Sequence, residues 1–283
     1  MVPDKGFSPR GHFDSPLVDV DDVSARRAQL WPQRPVILGI DFNDDYHRRI
    51  LTEAFPRWID GYDYPDEGRD DETLDRFYTR NSQFSWLDAR LLFVMLRELR
   101  PRRIVEVGSG YSSLLMADVN RRFFDGGIDI SCIEPYPRAF LQRPFPGIRR
   151  VIRDRVQAVP ISVFEPLERG DILFIDSSHV SKTGSDVNHL YFEILPRLAP
   201  GVVIHVHDIF FPHDYPQAWA IGENRSWNEQ YLLRALLMYS SAFRFLVGSN
   251  YAFSSFPGLV AEALGLPAGQ AFGGGSVWIE KVT

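Results

Sequence analysis

Two short segments bring together residue types that move protons and hold cations: Asp176-Ser177-Ser178-His179 and His207-Asp208. Carboxylates from two separate segments, with an imidazole nearby, can chelate a divalent cation such as Mg²⁺ and leave positions open for substrate oxygens. The candidate cation set is Asp176, His207 and Asp208. His179 lies three residues past Asp176. An imidazole, with an ordinary pKa of about 6.5, suits a general base on a substrate hydroxyl, which makes His179 and Asp176 the catalytic candidates. His205 shares a strand face with His207 and reads as a core histidine.

A second chemistry sits in Glu106-Val107-Gly108-Ser109-Gly110, which a helical pattern follows. Glycines there let the backbone approach a ligand, and the free N–H groups of a helix start make the turn electropositive, so a nucleotide-like cofactor is expected. A dinucleotide fingerprint asks for a third glycine, and Ser113 stands in that place. The acidic residue before the glycines suits a cofactor with a positive amino or sulfonium group. Glu134, 28 residues after Glu106, is placed to accept both hydroxyls of an adenosine ribose. Asp154 falls where an adenine would lie, a surface pair with a neighbouring arginine being the alternative.

These residues need strand ends to hold them, and the pattern supplies them. After a helix over residues 85 to 99, stopped by Pro101, apolar runs and helical patterns alternate: strands near 103–107, 128–133, 148–152, 171–175 and 202–206, with helices near 112–121 and 186–198. A further helix near 228–239 and strands near 243–248 and 276–281 complete the chain, the last with antiparallel character. Alternation of this kind predicts an α/β fold with a doubly wound, Rossmann-like, seven-stranded and mostly parallel sheet, whose ligands bind beyond the carboxyl ends of the strands. Glu106, Glu134, Asp176, His179, His207 and Asp208 all fall at such ends. Residues 1–83 read as an arm or cap, either packed on the main domain or mediating oligomers, with aromatics such as Trp58, Tyr62, Tyr64, Phe77 and Tyr78 at the substrate entrance; residues 84–283 form the main domain.

Bulk properties narrow the classes. With 283 residues, 45% hydrophobic and 24% charged, the chain is an ordinary globular protein with a sizeable core. Neither a signal peptide nor an apolar run of about 18 residues is present, so a soluble, cytoplasmic protein without a membrane partner is expected. A net charge of −6 argues against nucleic acid. Cys132 is the single cysteine, which excludes an intrachain disulfide and reads as a buried strand residue. Gly273-Gly274-Gly275 reads as a flexible turn.

Over residues 84–250 the motifs resemble class I S-adenosylmethionine-dependent methyltransferases: Phe84-Ser85-Trp86, Glu106-Val-Gly-Ser-Gly-Tyr-Ser, Ile175-Asp176-Ser-Ser-His179, Pro200-Gly201, His207-Asp208-Ile209-Phe210 and Trp227-x-x-x-Tyr231. The resemblance implies that Glu106, Gly108 and Gly110, with Ser109 and Ser113 in the same loop, hold the methionine part of S-adenosylmethionine, and Glu134 the ribose. The Asp-x-x-His of strand four is similar to that of metal-dependent sugar O-methyltransferases, in which the Asp binds the cation and the His is the base. His207-Asp208 departs from the acidic pairs that end strand five of catechol-type enzymes. The implied function is methyl transfer to a hydroxyl of a small polar metabolite or sugar. A nicotinamide-dependent oxidoreductase and a non-catalytic adenosyl-binding protein are the alternatives.

Overall fold

The computed structural model describes residues 6–267 and 273–283. Seven strands form one sheet: β1 (Arg103–Val107), β2 (Asp129–Ile133), β3 (Arg150–Ile152), β4 (Ile172–Ile175), β5 (Val203–His207), β6 (Phe243–Gly248) and β7 (Ser276–Lys281). Their spatial order is β3-β2-β1-β4-β5-β7-β6. The first five pair in parallel, and β7 runs antiparallel to both β5 and β6. Chain order reverses between β1 and β4, so the crevice expected of an open α/β sheet lies there.

Alternation along each strand divides the apolar residues between two cores. Ile104, Ile130, Phe174 and Trp278 pack on one face with the helices Trp86–Leu99 and Tyr111–Phe123. Val105, Val107, Leu173, Ile175, Ile204 and Val206 pack on the other, against Leu190, Ile194 and Leu233. Parallel strands covered on both faces need such near-continuous apolar runs. The segment expected as one helix over 186–198 is instead an α turn (Asp186–His189), a wider π turn (Leu190–Ile194) and a 3₁₀ turn (Leu195–Arg197). Pro196 lacks an N–H and ends regular α bonding there.

The N-terminal segment shares the first core through Ile50, Leu51, Ala54 and Phe55. Of the aromatics expected at a substrate entrance, Tyr64 and Phe77 are core residues, and Trp58, Tyr62 and Tyr78 pack partly buried against that core. Tyr64 and Phe77 are buried, and Tyr62, Tyr64, Phe77 and Phe93 meet edge to face. Flat, large side chains bury more surface here than at a rim. No helix among the described residues is long and apolar enough to cross a membrane.

Candidate active site

In-register parallel pairing places the carboxyl ends of β1, β2 and β4 side by side. Gly108 N–H donates to Ile133 O, Asp176 N–H to Val107 O and Glu134 N–H to Ile152 O, all within 3.0 Å. The residues after those strands therefore surround one cleft of about 540 Å³, walled by Gly108, Glu134, Tyr136, Gln157, Asp176 and Lys182 among others. Gly108 has φ +80, and a Cβ there would lie 1.7 Å from the carbonyl oxygen of Asp176. Its glycine is demanded by the neighbouring strand. Gly110 differs, because a Cβ there meets nothing nearer than Arg138 Nε at 3.9 Å.

Glu106 points inwards. It is fully buried and accepts hydrogen bonds from the hydroxyls of Ser112 (2.6 Å) and Ser113 and from the Cys132 thiol (3.2 Å). Ser113 Oγ also accepts the Gly110 N–H at 3.0 Å, which ties the loop to the first turn of the Tyr111–Phe123 helix. Glu106 is thus a brace under the glycine loop, and its influence on any ligand runs through the loop backbone. Burial raises its pKa to about 7 against the pull of the surrounding hydroxyls. Because the folded value exceeds the ordinary 4.5, the folded state binds the extra proton, and stability falls as pH rises from about 4.5 to 7 and then levels, by about 3 kcal/mol in all. Glu106→Gln is expected to flatten the melting temperature over that window, as thermal melts at stepped pH will show.

Glu134 Oε2 accepts the Ser109 N–H at 3.0 Å and Oε1 the Tyr136 N–H at 2.8 Å, so the carboxylate fixes two turns while facing the cleft. Asp154 stands outside this group. It is exposed, its carboxylate takes the N–H of Arg155, and the cleft wall past β3 is made by Arg155, Val156 and Gln157.

Across the switch point lies a buried acid and imidazole cluster. His179 Nε2 is 3.4 Å from both Asp176 Oδ1 and Asp208 Oδ2, and Nδ1 is 2.9 Å from Glu229 Oε2. His179 and Asp208 have φ +59 and +55, left-handed conformations that cost energy in residues other than glycine and collect at functional sites. The return of the chain supports the strain: the N–H groups of Asn228 and Glu229 donate to His179 O, and the Trp227 ring lies 4.4 Å from the imidazole. Burial opposes charge on the ring, but hydrogen bonds to Asp176 and Glu229, with their charges, outweigh it and lift His179 to about 10.

Asp176, His179 and Asp208 offer ligand atoms all within 4.8 Å of one another. His179 stands in the place that the sequence assigned to His207. The His207 ring is turned into the floor beside Phe84, 5.1 Å between centroids, and its Nε2 stays 3.7 Å from Asp208 Oδ1. His205 is a core residue as expected, stacked on Phe174 at 3.9 Å. Asp208 and His207 open onto a second cleft of about 520 Å³, walled by Trp86, Asp88, Phe210, Trp219 and Asn250. Glu229 and Trp227 complete the cluster, although neither stands out in the sequence as a site residue. An acid at a helix start ordinarily reads as a dipole partner, and nothing local signals a contact 50 residues away.

Residues 105–209 match the sequence family described as "Methyltransferase domain". A protein of Archaeoglobus fulgidus described as uncharacterized is 37% identical over 182 residues, which span 62% of this chain and 81% of that protein. The chain belongs to the family of that protein and carries a methyltransferase domain. The matched segment runs from β1 to just past Asp208, so the glycine loop, Glu134, Asp176 and His179 all lie in the methyltransferase domain, while Asp88 and Glu229 come from the flanks. Among solved structures, the O-methyltransferase TomG of Streptomyces achromogenes, in complex with SAM, is similar at 13% identity and a TM-score of 0.43, covering 93% of this chain and 96% of that one. An O-methyltransferase described as putative from Klebsiella pneumoniae is similar at 12% identity and a TM-score of 0.38, covering 84% and 90%.

Proposed function

We propose that the protein transfers the methyl group of S-adenosylmethionine to a hydroxyl of a small polar metabolite or sugar. One observation carries this reading: Asp176 lines the first cleft, Asp208 lines the second, and His179 is held between them. A donor in one cleft and an acceptor in the other would meet at that cluster. Glu134 faces the first cleft, with the oxygens of its carboxylate able to accept ribose hydroxyls besides the two N–H groups already bound. The glycine loop would lie against the methionine part. Residues 1–83 serve as a cap on the acceptor side: Trp31 Nε1 donates to Tyr215 O at 2.7 Å and Val18 N–H to Ser226 Oγ at 3.0 Å, which fixes the loop carrying Trp219.

In the transfer, the acceptor oxygen forms a bond to the methyl carbon as the sulfur–carbon bond breaks, and the hydroxyl proton leaves to His179. Alignment of donor and acceptor supplies most of the acceleration. Asp176 and Asp208 orient the hydroxyl, and Glu229 fixes the ring so that Nε2 faces them. Hydrogen bonds and charges of Asp176 and Glu229 favour the protonated ring up to about pH 10, so only the neutral fraction of His179 can take the hydroxyl proton, and turnover limited by that step is expected to rise with pH up to about 10.

The grouping of Asp176, His179 and Asp208 favours a second reading in which they hold a divalent cation. Two carboxylates and an imidazole whose other nitrogen is bound to a carboxylate form a donor set suited to such an ion. The ion would lower the pKa of the acceptor hydroxyl, and His179 would then act as ligand in place of base. Loss of activity on chelation and recovery with Mg²⁺ or Mn²⁺ supports this reading; unchanged activity after exhaustive chelation removes it and leaves the base. For the donor side, Glu134→Ala is expected to weaken S-adenosylmethionine binding by about 10- to 100-fold, measured by calorimetry. Unchanged affinity would count against the first cleft as the donor site.

A further inference from the structure

We infer that residues 35–38 form the seam of a homodimer, pairing antiparallel with the same residues of a second copy of this chain. The segment runs without turn or bend, and Gly39, at φ +78, ends it. Its side chains alternate as in a strand: Ile37 packs partly buried against the second core, while Val36 and Leu38 are 77% and 67% exposed. The backbone is unpaired as well. Among the described residues, the N–H groups of Val36, Ile37 and Leu38 have no partner, and the next backbone bond is that of the Tyr239 N–H to Gly39 O at 2.7 Å. The sheet does not take the segment in, since its last strand, β6, pairs with β7 alone. An extended apolar segment with a free edge is a template for another strand.

Charge names the occupant. Arg34 precedes the segment and Asp41 follows it. Neither has an ion-pair partner among the described residues, and Asp41 Oδ1 accepts the Asn43 N–H at 2.9 Å. In a reversed copy Arg34 comes to the end that carries Asp41, and a two-fold axis makes the match twice. The segment is therefore complementary to itself, as an isologous interface requires. With Ile37 at the axis, Val36 faces Leu38 of the second copy and Leu38 faces Val36 of the second copy, which gives two apolar cross-strand pairs on the outward face. The apolar surface continues to either side. Tyr239, 82% exposed, lies over Gly39, where a Cβ would come within 2.9 Å of its ring. Val282 shares a cleft with Gly39, and Tyr231 shares another with Val36, both side chains being exposed. A contiguous apolar patch of this kind marks an interaction site. Because Trp31 and Val18 tie the same arm to the loop at Tyr215 and Ser226, pairing would also steady that cap.

Sedimentation velocity of the full chain at about 1 to 100 µM, where modest interfaces assemble and dissociate, tests this without needing turnover. A species of twice the 32.5 kDa chain mass is expected to build up with concentration. Leu38→Lys brings two ammonium groups to the seam and is expected to weaken the dimer about 100-fold. Arg34→Asp and Asp41→Arg each put like charges together at both ends, and each is expected to weaken it about 10-fold. An equal mixture of those two variants restores opposite charges at both ends, so a mixed dimer of wild-type affinity is expected. A change confined to the fold of one chain would not produce that recovery. Thermal melts at the lowest concentration check that each variant is folded. A mass of one chain at every concentration, a dimer indifferent to Leu38→Lys, or a mixture that assembles no better than its two components would each overturn the inference.

Discussion

Replacing His179 with alanine is expected to lower turnover by about 10²- to 10⁴-fold while S-adenosylmethionine binds nearly as before. The ring lies outside the wall of the first cleft, and its contacts are Asp176, Asp208, Glu229 and Trp227. Removing it takes away the proton acceptor, or the cation's third ligand, and leaves Glu229 buried without its partner. Rates of S-adenosylhomocysteine release with an accepted hydroxyl compound, beside calorimetry with the donor, check both halves. Loss of donor affinity equal to the loss of turnover would place His179 in the donor site instead. Some loss of stability is also expected, since a buried charge without its partner is destabilising.

The two glycines of the loop should separate a fold requirement from a ligand requirement. Gly108→Ala is expected to cost several kcal/mol, about 3 or more, because its Cβ would overlap the Asp176 carbonyl and its φ of +80 disfavours any side chain. A shift of that strand end would carry the cluster with it, so melting temperature, donor binding and activity should fall together. Gly110→Ala meets only Arg138 Nε at 3.9 Å. On the proposal that the glycine loop lies against the donor's methionine part, its melting temperature should stay close to wild type while donor affinity drops. Thermal melts and calorimetry on the two variants make the comparison. A stable Gly108→Ala variant would contradict the loop geometry.

Much of the frame was legible because its causes are local. Short β-branched runs ending in Gly108, Glu134, Asp176 and Asp208 announce parallel strands, and the alternation of Val105 and Val107 with Ile104 and Glu106 already places Glu106 on a different face from Val107. Which face holds the serines of the following helix is a tertiary matter, so the sequence assigned Glu106 to the ligand when it braces the loop. His207 and His179 were exchanged as cation candidates for a similar reason. Strand alternation sends His207 into the floor with His205, while positive φ at His179 and Asp208 turns those two toward Asp176, a turn that Asp and His residues signal only weakly in advance. Glu229 reaches His179 from the helix at Glu229–Leu237, and Asp88 reaches the second cleft from the Trp86–Leu99 helix; only the folded arrangement brings them in.

Central to this account is that the cleft at the ends of β1, β2 and β4 takes S-adenosylmethionine. Calorimetric titration of the full chain with S-adenosylmethionine and, in parallel, with NADH tests it most directly. One-to-one binding of S-adenosylmethionine, weakened in Glu134→Ala and Gly110→Ala and absent for NADH, is the expected result. NADH binding in its place, or no binding of S-adenosylmethionine, would contradict the account.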